Sequence, residues 1–188
     1  MILKYFQPES DYSWDELDAI TAKVEGKWTW PYAGLIWMHE QGFEVRVIEM
    51  FDSVRFSKEG ESYLFDFFTH EVATAQIANS VIVQELALAK ECTEKIATEV
   101  RMPSTEAIVA LLNDGFLVCC NINVRALNDR DGYVGHFVIV TGCDGDVTLH
   151  DPGLPPLENR KVSFDVFEKA WGYPSEKAKN LMAFRINK

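Results

Sequence analysis

The chain has 188 residues, 47% of them hydrophobic and 12% aromatic, which supplies apolar side chains for one sizeable core and makes a single domain over residues 1–188 the expectation. Its formal net charge is −11 with lysine and arginine scattered rather than clustered, so a phosphate backbone would be repelled and nucleic acid is excluded as a partner. No run of about 18 apolar residues occurs, and the opening MILKYFQPES lacks the apolar length and cleavage site of a secretory signal, so a cytoplasmic protein without a membrane segment is expected.

Met1 to Phe6 reads as the last turns of a helix, stopped near Gln7 and Pro8 because proline has no amide to continue the ladder. Ser13 and Glu16 form an S-x-x-E capping box, and Leu17 and Ile20 lie on one face of a helix running from Trp14 to about Lys23. Pro31 suits the first turn of a further helix that carries Leu35, Ile36 and Met38 and stops at Gly42. Phe43 to Ile48 then alternates as a strand. Gly60 to Lys90 is helical in pattern, and Pro103, Ser104 and Glu106 open a short helix with Ile108, Leu111 and Leu112 on its apolar side. Phe116 to Val124 reads as a buried strand, His136 to Thr141 and Val147 to His150 as a hairpin, Ser163 to Trp171 as a helix, and Leu181 to Ile186 as a last strand. Helices mostly first and a largely antiparallel sheet second indicate the α+β class.

Of the four cysteines, Cys92, Cys119, Cys120 and Cys143, none forms a C-x-x-C pair or a zinc spacing with histidine. Cys119 and Cys120 lie in the apolar run GFLVCCNINV, where a free thiol behaves as a small hydrophobe. No cofactor is implied. Trp28, Trp30, Tyr32 and Trp37 are expected in the core, and Asn121 and Asn123 on the solvent side of their strand.

The stretch GHFVIVTGCDGDVTLHDPG is the most informative, because a histidine opens an apolar strand and an aspartate ends its partner. Asp144 and Gly145 are the preferred central pair of a two-residue hairpin, which sets Val138 opposite Asp151. His136, two residues from Val138, then lies on the same face as Asp151, a diagonal neighbour about 7–8 Å away at the backbone. A carboxylate there can hold the imidazole in one orientation, which is the orienting half of a nucleophile, base and orienter triad. The plainer alternative is a hydrogen-bonded strand histidine beside a turn aspartate preceding Pro152. His150 points to the opposite face by parity, which disfavours a metal held by His136, His150 and Asp151.

The run from Gly115 to Trp171, with GHFVIVTG, a DG turn, HDPG and the closing FEKAW, resembles the second half of the leader-peptidase-like papain superfamily, cysteine peptidase family thirty-nine. It is most similar to stand-alone bacterial members, and the resemblance extends back through WTWP at Trp28 to Pro31, GFEV at Gly42 to Val45, and MILKYF at Met1. That family places its nucleophilic cysteine at the start of a central helix whose continuation looks like MILKYF, with a glutamine for the oxyanion just before it. The resemblance therefore implies a papain-like fold and peptide or protein substrates. It also implies catalytic roles for His136 as base and Asp151 as its orienter, and a cysteine and glutamine lying before residue 1. Either the gene start is misplaced or the chain shortened and the full protein is a thiol hydrolase, or the chain is a pseudoenzyme that binds peptides; an acyltransferase using the same triad is a further alternative. None of the four cysteines present suits the nucleophile, since none opens a helix beside His136.

Overall fold

A computed structural model describes residues 1–186. The first element, α1 (Ile2–Phe6), is followed by α2 (Trp14–Ile20), whose capping box has the Ser13 hydroxyl accepting from the Glu16 amide and the Glu16 carboxylate accepting from the Ser13 amide. This helix ends at Ile20, earlier than the sequence suggests, because Ala22 takes a left-handed backbone with φ of 51°. Next come α3 (Tyr32–Glu40), with Pro31 at its N-cap, and strand β1 (Phe43–Glu49).

The long helical stretch expected after Gly60 is three helices, α5 (Glu61–Phe67), α6 (His70–Asn79) and α7 (Ile82–Lys95), preceded by α4 (Ser53–Glu59). The breaks have local causes: the Thr69 hydroxyl accepts from the Val72 amide and so starts a new helix, and Ser80 adopts an extended backbone. At that second break the chain turns by 97° between α6 and α7. Strand β2 (Ala97–Val100), helix α8 (Thr105–Asn113) capped by Ser104, strand β3 (Leu117–Asn123) and the single turn α9 (Val124–Leu127) follow. The chain closes with β4 (Gly135–Asp144), β5 (Asp146–Asp151), β6 (Leu157–Val162), α10 (Phe164–Trp171) capped by Ser163, and β7 (Asn180–Ile186).

The seven strands form one sheet in the order β2-β1-β7-β3-β4-β5-β6, antiparallel except for the β1–β2 pair, and the protein belongs to the α+β class. Alternation along the strands sorts the core into two layers. Val45, Val47, Cys119, Ile139, Met182 and Phe184 face α1, α3 and the helices α4 to α7. Ile48, Val118, Cys120, Ile122, Val138 and Val140 face the other way, toward α8, α9 and α10. Among the described residues no single helix is long and apolar enough to cross a membrane.

One charge in the first layer is at odds with its surroundings. Glu85, on the buried face of α7, is 4% exposed and its Oε2 has no hydrogen-bond partner. Burial pushes its carboxyl up to about 7. A carboxyl raised in the folded state destabilises the fold once the unfolded chain has ionised, so the cost develops as pH rises from about 4.3 toward 7. Glu85→Gln is therefore expected to match the native chain in unfolding free energy near pH 4 and to exceed it at pH 8 by on the order of 2 kcal/mol, measured by urea unfolding at the two pH values.

Candidate functional site

The β4–β5 ribbon carries the two residues that the sequence singles out. Its tip is tighter than expected: Asp144 pairs directly with Asp146 across Gly145, whose φ of 72° needs no Cβ penalty, so the turn is not the two-residue Asp144–Gly145 type. A bulge at Thr141 then shifts the register, so that Gly142 pairs with Thr148 but Val140 pairs with Leu149 and Ile139 with His150. Beyond the bulge the register is the one that sets His136 and Asp151 on a common face.

There the His136 Nε2 and Asp151 Oδ1 atoms are 2.6 Å apart. Asp151 is 6% exposed and the His136 side chain 22% exposed, so the imidazole stands between the carboxylate and solvent. With Asp151 ionised, Nε2 donates, and the other ring nitrogen, Nδ1, has no hydrogen-bond partner among the described residues. The Gly153 amide donates to the same Oδ1 at 2.9 Å, closing a turn in which a Cβ on Gly153 would come within 3.0 Å of that oxygen.

The sequence reading missed the residue on the far side of the carboxylate. Arg160, from the edge strand β6, places Nη1 3.3 Å from Asp151 Oδ2 and donates through Nη2 to the Leu127 carbonyl at 3.1 Å and Asn128 Oδ1 at 2.9 Å. A second irregularity, between the Leu149–Arg160 and Asp151–Leu157 pairs, surrounds Asn159, whose φ is 53°. The Asn159 amide donates to His150 Nδ1 at 3.1 Å, so His150 is engaged on its own side of β5 and stays apart from the His136–Asp151 pair.

Two asparagines hold the start of β4, and neither is the plain solvent-facing residue expected. Asn123 is 1% exposed; its Oδ1 accepts from the amides of Arg125 and Val134, and its Nδ2 donates to the Gly132 carbonyl. A buried carboxamide that ties together both ends of the α9 loop leaves that loop little freedom. Asn121 is half-buried, and its Oδ1 accepts from the His136 amide at 3.0 Å.

The pair and α1 lie on opposite faces of the sheet. His136 is paired with Ile122 and shares its parity with Val138 and Val140, so its ring belongs to the layer of α8 to α10. Helix α1 packs in the other layer, with Phe6 edge-on to Phe43. The family resemblance implies a thiol-bearing start of the α1 helix where His136 and Asp151 project, whereas parity places α1 itself in the opposite layer. His136 is, however, the second residue of β4, at the open end of the strand where the two faces meet solvent.

The thiols present are poor nucleophiles. Burial pushes Cys92 and Cys119 up to about 12, in Cys119 against a small opposing effect of the amino-terminal charge. Burial likewise raises Cys120 and Cys143. Trp28 is half-exposed while Tyr32 is buried, with Trp30 stacked against Phe56 at 5.0 Å, so the tryptophan-rich segment is core on one side and cavity wall on the other.

No protein-family model matches the chain, and none of the curated proteins matches it at a meaningful level of similarity.

Burial alone would raise the Asp151 carboxyl, but the Gly153 amide, the hydrogen bond and charge of His136, and the Arg160 guanidinium together hold it below the usual carboxylate range. A depressed folded-state value contributes stability that is present above the unfolded value of about 3.9 and lost as pH falls through the folded one. The native chain is accordingly expected to be more stable than Asp151→Asn near pH 7, with the gap closing below about pH 3.9, as read by thermal melts across that window.

Proposed function

We propose that this chain is a papain-like, leader-peptidase-related domain whose chemistry is acyl transfer from a peptide or amide bond to a cysteine. The observation that carries the reading is the contact between His136 Nε2 and Asp151 Oδ1, which leaves Nδ1 as the unpartnered nitrogen of a fixed ring. A thiol near Nδ1 would pass its proton to that nitrogen on attacking a carbonyl, and the leaving amine would take the proton back. Asp151 fixes the ring and stabilises the imidazolium that forms, while Arg160 and the Gly153 amide keep Asp151 ionised in a half-dry site.

The nucleophile in this reading comes from a helical segment that continues α1 on its amino-terminal side. The amino terminus already lies within electrostatic reach of Cys119 on β3, and β3 leads from Cys119 to Ile122, the partner of His136. About seven further helical residues would extend some 10 Å at 1.5 Å each, a reach comparable to the three residues of β3 from Cys119 to Ile122. A helix start placed past the end of β4 approaches the imidazole around the strand end rather than through the sheet.

The four raised thiols favour a second reading for residues 1–188 taken alone, a peptide-binding domain without turnover. One experiment separates the two. The codons preceding Met1 are read, and the chain is expressed with the in-frame segment they encode. The hydrolase reading expects a cysteine there, alkylation of that cysteine by iodoacetamide, peptide hydrolysis blocked by the same reagent, and a rate lower by roughly 10²–10⁴ in His136→Ala. An in-frame stop codon with no preceding cysteine, or an extended chain that hydrolyses no peptide, removes the hydrolase and leaves the binding domain; hydrolysis indifferent to His136→Ala removes the mechanism through His136.

A further inference from the structure

On the face opposite the His136–Asp151 pair, the end of the sheet forms the floor of a cavity of about 300 Å³. Four strands contribute one residue each along a single row. Glu49 at the end of β1 pairs with Asn180 of β7, the Asn180 side chain accepts from the Asn121 amide of β3 at 3.0 Å, and Asn121 pairs with Phe137 of β4. All four line the cavity and share parity with Val47, Met182, Cys119 and Ile139. Three strand spacings separate the ends of the row, about 14 Å.

The wall on the Glu49 side is aromatic. Trp30 is stacked on Tyr32 at 5.9 Å between ring centres, and Phe51 stands edge-on to Trp30 at 5.9 Å. Phe67 and Phe68 close the same side, each in contact with Phe51. Within this wall the Glu49 carboxyl has no hydrogen bond or ion pair among the described residues, and burial alone pushes it up to about 7. The neighbouring groups do not compensate it. The Tyr32 hydroxyl is engaged with Ser53 Oγ at 2.8 Å, the Cys92 thiol is raised and so neutral, and Lys179 Nζ is taken by Glu168 and Glu176. Lys177 lines the cavity from an exposed position and does not act on the Glu49 carboxyl.

An anionic group without a counter-charge, set among aromatic faces in a concave space, is complementary to a compact organic cation: the carboxylate supplies charge, and the negative faces of the rings supply cation–π attraction. We propose that this cavity binds an alkylammonium group, with Glu49 as its ion-pair partner and Trp30, Tyr32 and Phe51 as its cage. The site lies across the sheet from the His136–Asp151 pair and is assigned to residues 1–188; the helical continuation of α1 in the proposed function would pass over Asn121 and compete for the same space, so the two readings are tested on different chains.

The test uses residues 1–188 at pH 8, where Glu49 is ionised, and follows tryptophan fluorescence. The titrants are n-butylammonium, the neutral n-butanol of the same chain length, and N-acetyl-lysine amide. Butylammonium is expected to bind at least ten-fold tighter than butanol, and Glu49→Gln is expected to erase that difference while melting no lower than the native chain. Equal binding of cation and alcohol, a preference that survives in Glu49→Gln, or no binding of either ammonium compound overturns the proposal. Tighter binding of the blocked lysine than of butylammonium assigns the site to a protein or peptide side chain; the reverse order assigns it to a free amine.

Discussion

The single residue Thr141 decides whether a site exists on the β4–β5 ribbon at all. At the tip, paired residue numbers follow Asp144 with Asp146, and if that register ran on unchanged Asp151 would sit opposite Ile139, on the face turned away from His136. The extra residue at Thr141 moves the partner strand by one place, and because side chains alternate with period two, one place is the difference between contact and separation. The imidazole contact depends on that parity, while the Gly153 turn is local to the end of β5 and the grip of Arg160 is set by the separate β5–β6 register.

The same alternation divides the polar residues on and against the sheet into two groups, one on each face. On the α8–α10 side the charges are matched, with Asp151 between an imidazole and a guanidinium, and the aspartate is held ionised. On the helical side Glu49 and Glu85 stand without partners, and burial lifts both carboxyls to about 7. The aspartate is thus held toward its charged form by its partners, while Glu49 and Glu85 are pushed toward their neutral forms by burial without compensation. A sheet with independent polar sites on its two faces needs each to be positioned by its own side chains, and Asn121 serves both: its side chain accepts from the His136 amide, and its own amide donates to Asn180 on the cavity floor.

Much of the architecture was legible from local chemistry. The Ser13–Glu16 box, the Ser104 and Ser163 caps, the alternation of Phe43 to Ile48 and the apolar run through Cys119 and Cys120 all correspond to elements where they were expected. The sequence pattern sets Asp151 beside His136 because two departures cancel: the actual turn is one residue narrower than the two-residue type, and the bulge supplies the missing residue. The edge strands β2 and β6 were missed because ATEV and LENRKV show no apolar alternation; each is paired along one side only and is largely exposed, and β6 carries charge that discourages further pairing. Arg160 was missed for the same reason, since nothing in a charged edge segment marks which side chain crosses to a neighbouring strand. The layer of α1 relative to His136 was not legible either, because it depends on how the strand order β7-β3-β4 threads through the sheet rather than on any local pattern.

Asn123 has a consequence for how this protein can vary. Its carboxamide joins the amides of Arg125 and Val134 to the Gly132 carbonyl, so the segment between α9 and β4 is cinched at its base, a short distance before His136. The exposed crest at Asp129 to Asp131 lies outside that knot and is held to α9 through Arg125, whose carbonyl accepts from the Arg130 amide and whose guanidinium donates to the Asp131 carbonyl. Because the Asn123 bonds close the loop below the crest, a change of length or charge at its tip leaves the anchorage of the strand that carries the imidazole intact.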